Sequence, residues 1–177
     1  MSLTPTVEPA PSAPALMLRP WRPEDAPGLV VAHGDPLLRR WLAHHLHDEE
    51  QALHWIGRQS HGRASGTRFS FAVVEEGRPI GHIAVKRDGS HDSAEVGYWT
   101  MGAARGRGVA SRALEALSRW ALGPESPLPV TRLELLHTVA NEGSCRVAQK
   151  CGYTLDSVLP PLPPAYPGEG HLHVRAA

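Results

Sequence analysis

A strand, a glycine-rich loop and an amphipathic helix follow one another between Glu95 and Leu122, and this junction constrains the fold most strongly. The segment Glu95-Val96-Gly97-Tyr98-Trp99-Thr100 is rich in β-branched and aromatic residues, which predicts a strand. Apolar residues recur at helical spacing over 109–122, which predicts an amphipathic helix. The loop between them ends in Arg105-Gly106-Arg107-Gly108-Val109-Ala110. The chain therefore presents the start of a helix directly after a strand and two glycines.

This helix start has the properties of an anion site. The first turn of a helix carries unpaired backbone N–H groups and the positive end of the dipole. Gly106 and Gly108 let that backbone approach a bulky anion, and Arg105 and Arg107 are expected to add charge. The spacing fits neither G-x-x-x-x-G-K-[ST] nor G-x-G-x-x-G. We interpret the loop as a pyrophosphate site, with a plain glycine turn before a helix as the alternative.

The rest of the chain predicts a mixed, mostly antiparallel α/β sheet of six to seven strands flanked by helices. Strands come first in a meander and then alternate with helices, which is typical of a mixed sheet. Predicted helices cover 23–32, 36–46, 48–63, 109–122 and 144–150. Predicted strands cover 16–21, 68–74, 80–86, 95–100, 132–138, 153–159 and 171–175, with turns at Glu76-Gly77 and Asp88-Gly89.

Composition excludes several classes of protein. The 177 residues contain 18 Lys and Arg against 18 Asp and Glu, so bulk charge does not favour nucleic acid or a membrane surface as partner. Residues 1–14 are rich in Pro, Ala, Ser and Thr and are predicted to be a disordered tail before a single domain at 15–177. The first residues do not resemble a secretory signal, and two cysteines provide no disulfide framework. We therefore expect a cytoplasmic protein.

Two motifs in the expected order resemble one enzyme family. Residues 105–110 match the signature R/Q-x-x-G-x-G/A, and residues 141–153 match N-x-x-S-x-x-x-A-x-x-x-G-F/Y. Both are similar to the GNAT superfamily of N-acetyltransferases, in the branch of RimJ/RimL-type ribosomal-protein acetyltransferases. The segments 18–25 and 94–99 are similar to that branch as well, so the resemblance covers about residues 16–160.

The resemblance implies the acyl-CoA N-acyltransferase fold and a binding site for acetyl-CoA. The loop would bind its pyrophosphate, through Arg105, Gly106, Arg107, Gly108, Val109 and Ala110. The strand edge at Tyr98, Trp99 and Thr100 would hold the pantetheine arm as an added strand would. In the family the strands separate there through a bulge. Asn141 would bind the same arm by its amide, and a helix N-cap is an equal alternative for it.

The resemblance also implies acetyl transfer to a primary amine by direct attack in a ternary complex. A protonated amine needs a base, and Glu95 is the candidate, although a solvated strand-end carboxylate fits it equally well. Many members place a Tyr where this chain has Ala148, so Ser144 is the candidate beside the sulfur. Its alternative is an ordinary first-turn serine. Backbone N–H groups near residues 98–100 would stabilise the oxyanion.

The acceptor and several other features stay open at this stage. A protein N-terminus is one acceptor; a small amine such as an amino acid, polyamine or aminoglycoside is another, and a non-catalytic acyl-CoA-binding domain is a third possibility. Trp41 and Trp55 are candidates for an acceptor wall. The run His44-His45-Leu46-His47 looks metal-like but has no closing ligand, so no metal is expected. Cys145 and Cys151 are interpreted as packing residues, and the chain as a monomer or homodimer.

Overall fold

The computed structural model describes residues 4–87, 92–124, 126–164 and 166–177. The strands are β1 (Met17–Arg19), β2 (Arg68–Glu75), β3 (Arg78–Lys86), β4 (Ser93–Thr100), β5 (Arg132–Thr138), β6 (Thr154–Leu159) and β7 (Gly170–Ala176). The helices are α1 (Ala26–His33), α2 (Pro36–Trp41), α3 (Glu49–Ala64), α4 (Val109–Ala121) and α5 (Glu142–Lys150).

All seven strands form one sheet in the order β1-β2-β3-β4-β5-β7-β6. Neighbouring strands are antiparallel except β4 and β5, which are parallel. The predicted fold, a mixed and mostly antiparallel sheet with flanking helices, is thus confirmed. A parallel pair needs a crossover, and α4 supplies it between β4 and β5.

Helices cover both faces of the sheet. Successive residues of a strand point to opposite faces, and here both faces carry apolar side chains. On one face α4 and α5 pack against residues such as Phe71, Ile83 and Leu133. On the other face α1, α2 and α3 enclose a second cluster that contains Trp21, Trp99 and Ala72. This packing explains the amphipathic spacing of α4, because its own residues Leu114 and Leu117 face the sheet and are fully buried.

The predicted helix at 36–46 is wrong beyond Trp41. Leu42 is extended (φ −92°, ψ 133°), so the helix ends there. The chain then turns inward, where Leu46 is buried and its N–H donates to His33 Nδ1 at 3.3 Å. The helix predicted to start at Ser144 instead begins at Glu142, because the Asn141 side chain caps it. Strand β1 is also shorter than predicted.

The two predicted turns have different outcomes. Glu76 and Gly77 have φ of 48° and 80° and join β2 to β3, which confirms a tight hairpin turn. The turn predicted at Asp88-Gly89 lies outside the described residues.

Residues 4–14 run beside the outer surface of α4. Arg112 donates to the Pro14 carbonyl oxygen at 2.8 Å, and Glu8 forms an exposed ion pair with Arg119 at 3.4 Å. Residues 1–3 are not described. Disorder of the segment 1–14 and a single domain over 15–177 stay predictions. Among the described residues, every helix is too short or too polar to cross a bilayer.

Candidate active site

A cleft of about 870 Å³ opens where β4 and β5 separate. Their parallel ladder ends at the pair Val96 and Leu135, while β4 continues to Thr100 and β5 to Thr138. Over residues 97–100, the edge of β4 that faces β5 therefore has no strand paired with it among the described residues. The β3–β4 register is unbroken over these residues, so the bulge expected in β4 is absent there and the opening comes from the end of pairing.

The start of α4 forms one wall of this cleft. Gly108 is the N-cap residue of α4 and has φ of 77°. It has no side chain to accept a hydrogen bond from the first N–H groups of the helix. Gly106 has φ of 73°, and a Cβ at either glycine would meet no atom within 4 Å. The backbone at this helix start thus borders open space with its N–H groups uncapped. This arrangement fits a bound diphosphate.

The two loop arginines were expected to add positive charge to the anion site, but each of them is paired with a carboxylate. Arg105 donates to Asp35 at 2.6 Å and Arg107 donates to both oxygens of Glu75 at 2.6 and 2.8 Å. Arg105 lines the cleft, whereas Arg107 is not among its lining residues. Both positive charges are compensated by carboxylates of distant elements. Attraction of an anion therefore rests mainly on the backbone N–H groups and the helix dipole.

Tyr98, Trp99 and Thr100 all line the cleft, from opposite faces of β4. Tyr98 points to the α5 face, where its buried hydroxyl forms no hydrogen bond of regular geometry. Burial raises the pKa of Tyr98 to about 12, and the Ser144 hydroxyl beside it opposes this only in part. Because its contact with Ser144 is not of regular geometry, this buried hydroxyl can still donate to a ligand in the cleft.

Asn141 and Ser144 lie at the start of α5 on the same wall. The Asn141 Oδ1 accepts a hydrogen bond from the Ser144 N–H at 3.2 Å, so the N-cap alternative for Asn141 is observed. This bond uses the amide oxygen and leaves the amide N–H groups for a ligand. Ser144 stands next to Tyr98, so two hydroxyls meet at this end of the β4 edge.

Glu95 lines the cleft from the β4 face that carries Trp99. It lies directly opposite Lys86 in the β3–β4 ladder and pairs with its ammonium at 2.8 Å. Its side chain is 41% exposed. The carboxylate therefore has contact with both water and the cleft, as a proton acceptor requires, and the solvated alternative also fits this exposure.

Aromatic rings form the wall opposite α5. Trp41 and Trp55 both line the cleft, as expected for an acceptor wall, and Trp55 lies edge-on to Trp21 at 5.6 Å between centroids. Trp21 Nε1 donates to His82 Nδ1 at 3.0 Å. Burial lowers the pKa of His82 to about 3, so its ring is neutral at neutral pH.

His33 is a cleft residue that the sequence reasoning missed. Its Nδ1 accepts from the Leu46 N–H, which places the proton on Nε2, and that buried nitrogen has no partner. Burial lowers the pKa of His33 to about 4, so the ring is neutral. His33 is the last residue of the apolar helix α1, and the sequence around it does not indicate that it lies in a cleft. The cleft forms only when α1 packs beside β4.

Comparison with protein families decides the classification of this site. The family described as Acetyltransferase (GNAT) domain matches residues 15–154. This chain belongs to the GNAT acetyltransferase family. The match includes β1 to β5, α1 to α5 and the first residue of β6, so both sequence motifs lie inside it. The GNAT chain is thus an acyltransferase that acts on nitrogen, as its sequence predicts.

Solved structures share the fold of this GNAT chain at low sequence identity. The microcin C7 self-immunity acetyltransferase MccE, in complex with acetyl-CoA and AMP, has a TM-score of 0.82 and 16% identity, with 95% of this chain and 98% of that chain covered. RimL, a ribosomal L7/L12 alpha-N-protein acetyltransferase in complex with coenzyme A, has a TM-score of 0.82 and 18% identity over 95% and 96%. RimJ from Mycobacterium smegmatis, with a CoA disulfide, has a TM-score of 0.80 and 18% identity over 92% and 82%.

The resemblance to RimJ and RimL is therefore confirmed for the fold. No curated protein sequence matches the chain. The roles assigned to single residues stay predictions, since a shared fold at this identity does not fix them.

Proposed function

We propose that this chain transfers the acetyl group of acetyl-CoA to a primary amine by direct attack in a ternary complex. The observation that carries the proposal is the uncapped start of α4 beside the free edge of β4, in one continuous cleft. A diphosphate on the helix start places an extended arm along that edge. The thioester then lies near Tyr98 and Ser144.

Each predicted residue has a defined task in this reaction. The neutral amine attacks the acetyl carbon, the C–S bond breaks, and coenzyme A leaves as a thiolate. Glu95 takes the proton of the amine, directly or through a water molecule. Backbone N–H groups near Trp99 and Thr100 hold the oxyanion. Ser144 lies beside the sulfur, and the neighbouring Tyr98 hydroxyl is a second donor there.

The charge of the cleft bears on the acceptor. In its lining, Glu95 pairs with Lys86, Glu142 with Arg146, and Arg105 with Asp35, so the cations left without an ion pair among the described residues are Arg68 and Lys150. A polycationic acceptor such as an aminoglycoside would be repelled on balance. The aromatic rings of Trp41 and Trp55 fit a monoamine with an apolar neighbour, such as the N-terminus of a peptide. We therefore propose a protein N-terminus as acceptor, with a small monoamine as the alternative.

The setting that we propose is the cytoplasm, without nucleic acid or membrane as partner. Both cysteines are free thiols in the structure, and thiols persist in a reducing compartment.

A panel of acceptors tests the proposal. The purified chain is incubated with acetyl-CoA and with N-terminal peptides, amino acids, polyamines or aminoglycosides, and the released thiol is measured. We expect turnover with N-terminal peptides and little with aminoglycosides. Binding of coenzyme A without turnover on any amine would identify a binding domain and contradict the proposal.

A further inference from the structure

Three histidines and a cysteine converge beneath the start of α5. They are His137, His171, His173 and Cys145, and each offers one ligand atom within 4.8 Å of the other three. From this cluster we infer a binding site for a single transition-metal ion, best suited to Zn²⁺. The inference concerns the α5 face of β5 and β7, where His137 also lines the cleft, and it does not depend on which amine the enzyme acetylates. It replaces the expectation that the chain binds no metal.

The sheet register explains why the histidines meet. His137 of β5 lies directly opposite His171 of β7. His173 is two residues further along β7, so its side chain emerges on the same face as that of His171. Cys145 lies in the second turn of α5, which covers this face. Its Sγ is 3.2 Å from His171 Nδ1 and 3.7 Å from His173 Nε2.

These separations suit tetrahedral coordination. Zinc–nitrogen bonds of about 2.0 Å and zinc–sulfur bonds of about 2.3 Å place nitrogen and sulfur about 3.5 Å apart around a tetrahedral ion. The two distances from Sγ bracket that value. The ligand atoms of the cluster are at most 4.8 Å apart. The widest separation must therefore shorten by about 1.5 Å or less to reach the nitrogen–nitrogen separation of about 3.3 Å in a tetrahedral site.

The hydrogen bonding of the rings points the same way. His137 Nδ1 donates to the Thr138 carbonyl oxygen at 2.8 Å, which leaves the lone pair on Nε2. That Nε2 is buried and has no hydrogen-bond partner among the described residues. A ring nitrogen held away from water without a partner is costly unless a ligand binds there.

A four-ligand site of this kind leaves no open coordination position, so the ion is structural. It ties the start of α5 to β5 and β7, and Ser144, the neighbour of Cys145, lies in the cleft wall. The ion would therefore fix the wall on which Ser144 and Asn141 stand.

Metal titration of the full chain, without an affinity tag that binds metal, tests the site. The protein is stripped with a chelator and then titrated with Zn²⁺ against a chromophoric competitor. We expect one Zn²⁺ per chain, and a loss of affinity of about 100-fold or more in His171→Ala and Cys145→Ala. His54→Ala and His61→Ala, which change exposed histidines of α3, serve as matched controls and should bind as the parent does.

Cobalt supplies a second readout, and its first result comes from the parent protein alone. The parent loaded with Co²⁺ should show a thiolate-to-metal charge-transfer band, and Cys145→Ser should lack it. Absence of that band in the parent, no Zn²⁺ bound at micromolar concentration, or equal affinity in the parent and in folded His171→Ala would overturn the inference.

Discussion

Glu95 is the residue that we propose as the base for proton removal. Its carboxylate pairs with Lys86 and lines the cleft. We expect Glu95→Gln to lower turnover by about 100-fold, because general base catalysis is lost. The loss should be greatest below the pKa of the amine and shrink above it, where the acceptor is already neutral.

A pH profile of kcat/KM measures this effect. Glu134→Gln is the matched control, since Glu134 lies beside Glu95 in the β4–β5 ladder but does not line the cleft. A loss that is equal at every pH would remove Glu95 as the base.

Ser144 gives a second prediction at the scale of one hydroxyl. Ser144→Ala should reduce kcat by about 10-fold and leave the affinity for coenzyme A unchanged, because in the proposed reaction its hydroxyl stabilises the departing sulfur and not the bound ground state. Single-turnover rates and calorimetric affinities separate the two quantities. If affinity falls while kcat holds, Ser144 is a binding residue.

Single residues also mark where sequence reasoning stops. Glycines at 106 and 108 could be predicted to need positive φ. The partners of Arg105 and Arg107 could not, because Asp35 and Glu75 lie far away in the chain. The pattern His171-Leu172-His173 was a local signal, since alternate residues of a strand share a face. Only the packing of α5 brings Cys145 onto that face.

At the scale of elements, the junction of β4, the glycine loop and α4 is the part that we propose to bind the diphosphate. Gly108→Val would force a β-branched residue to a φ of 77° and fill space above the helix start. We expect at least a 100-fold weaker binding of coenzyme A, measured by calorimetry. The cost of the φ alone is about 1–2 kcal/mol of stability.

Gly66→Val provides the matched control. Gly66 has φ of 70° and equally open surroundings, but it lies after α3 and away from the cleft. Both variants should lose similar thermal stability, and only Gly108→Val should lose binding. Equal affinities in the two variants would contradict the assignment of the loop.

Elements with a strong period were predictable, and the opening between strands was not. The helical spacing of α4 and the alternation in β2 follow from local sequence. The cleft depends on where the ladder of β4 and β5 ends, which is a property of two strands and their crossover. The end of α2 was missed for the same reason, because the chain after Trp41 turns inward and Leu46 contacts His33, far away in the sequence.

For the whole molecule, buried neutral histidines predict sensitivity to acid. His82 has a pKa of about 3 in the fold against 6.5 for the free side chain, owing first to burial and then to Arg68 and His33. The unfolded chain therefore binds more protons between these values, and stability falls as pH falls. This residue alone should cost about 2 kcal/mol between pH 7 and pH 5.

Urea unfolding at pH 7 and pH 5 measures that loss. His82→Gln keeps an acceptor for Trp21 Nε1 but cannot titrate, so its stability should change less over the same range. His33 contributes in the same direction and stays in both proteins. An identical pH dependence in parent and variant would show that His82 is not held neutral by the fold.

Titration calorimetry with coenzyme A tests the central claim most directly. The uncapped start of α4 and the free edge of β4 predict one coenzyme A per chain, with acetyl-CoA competing for the same site. The absence of any heat with either ligand, from a chain shown to be folded, would contradict the account.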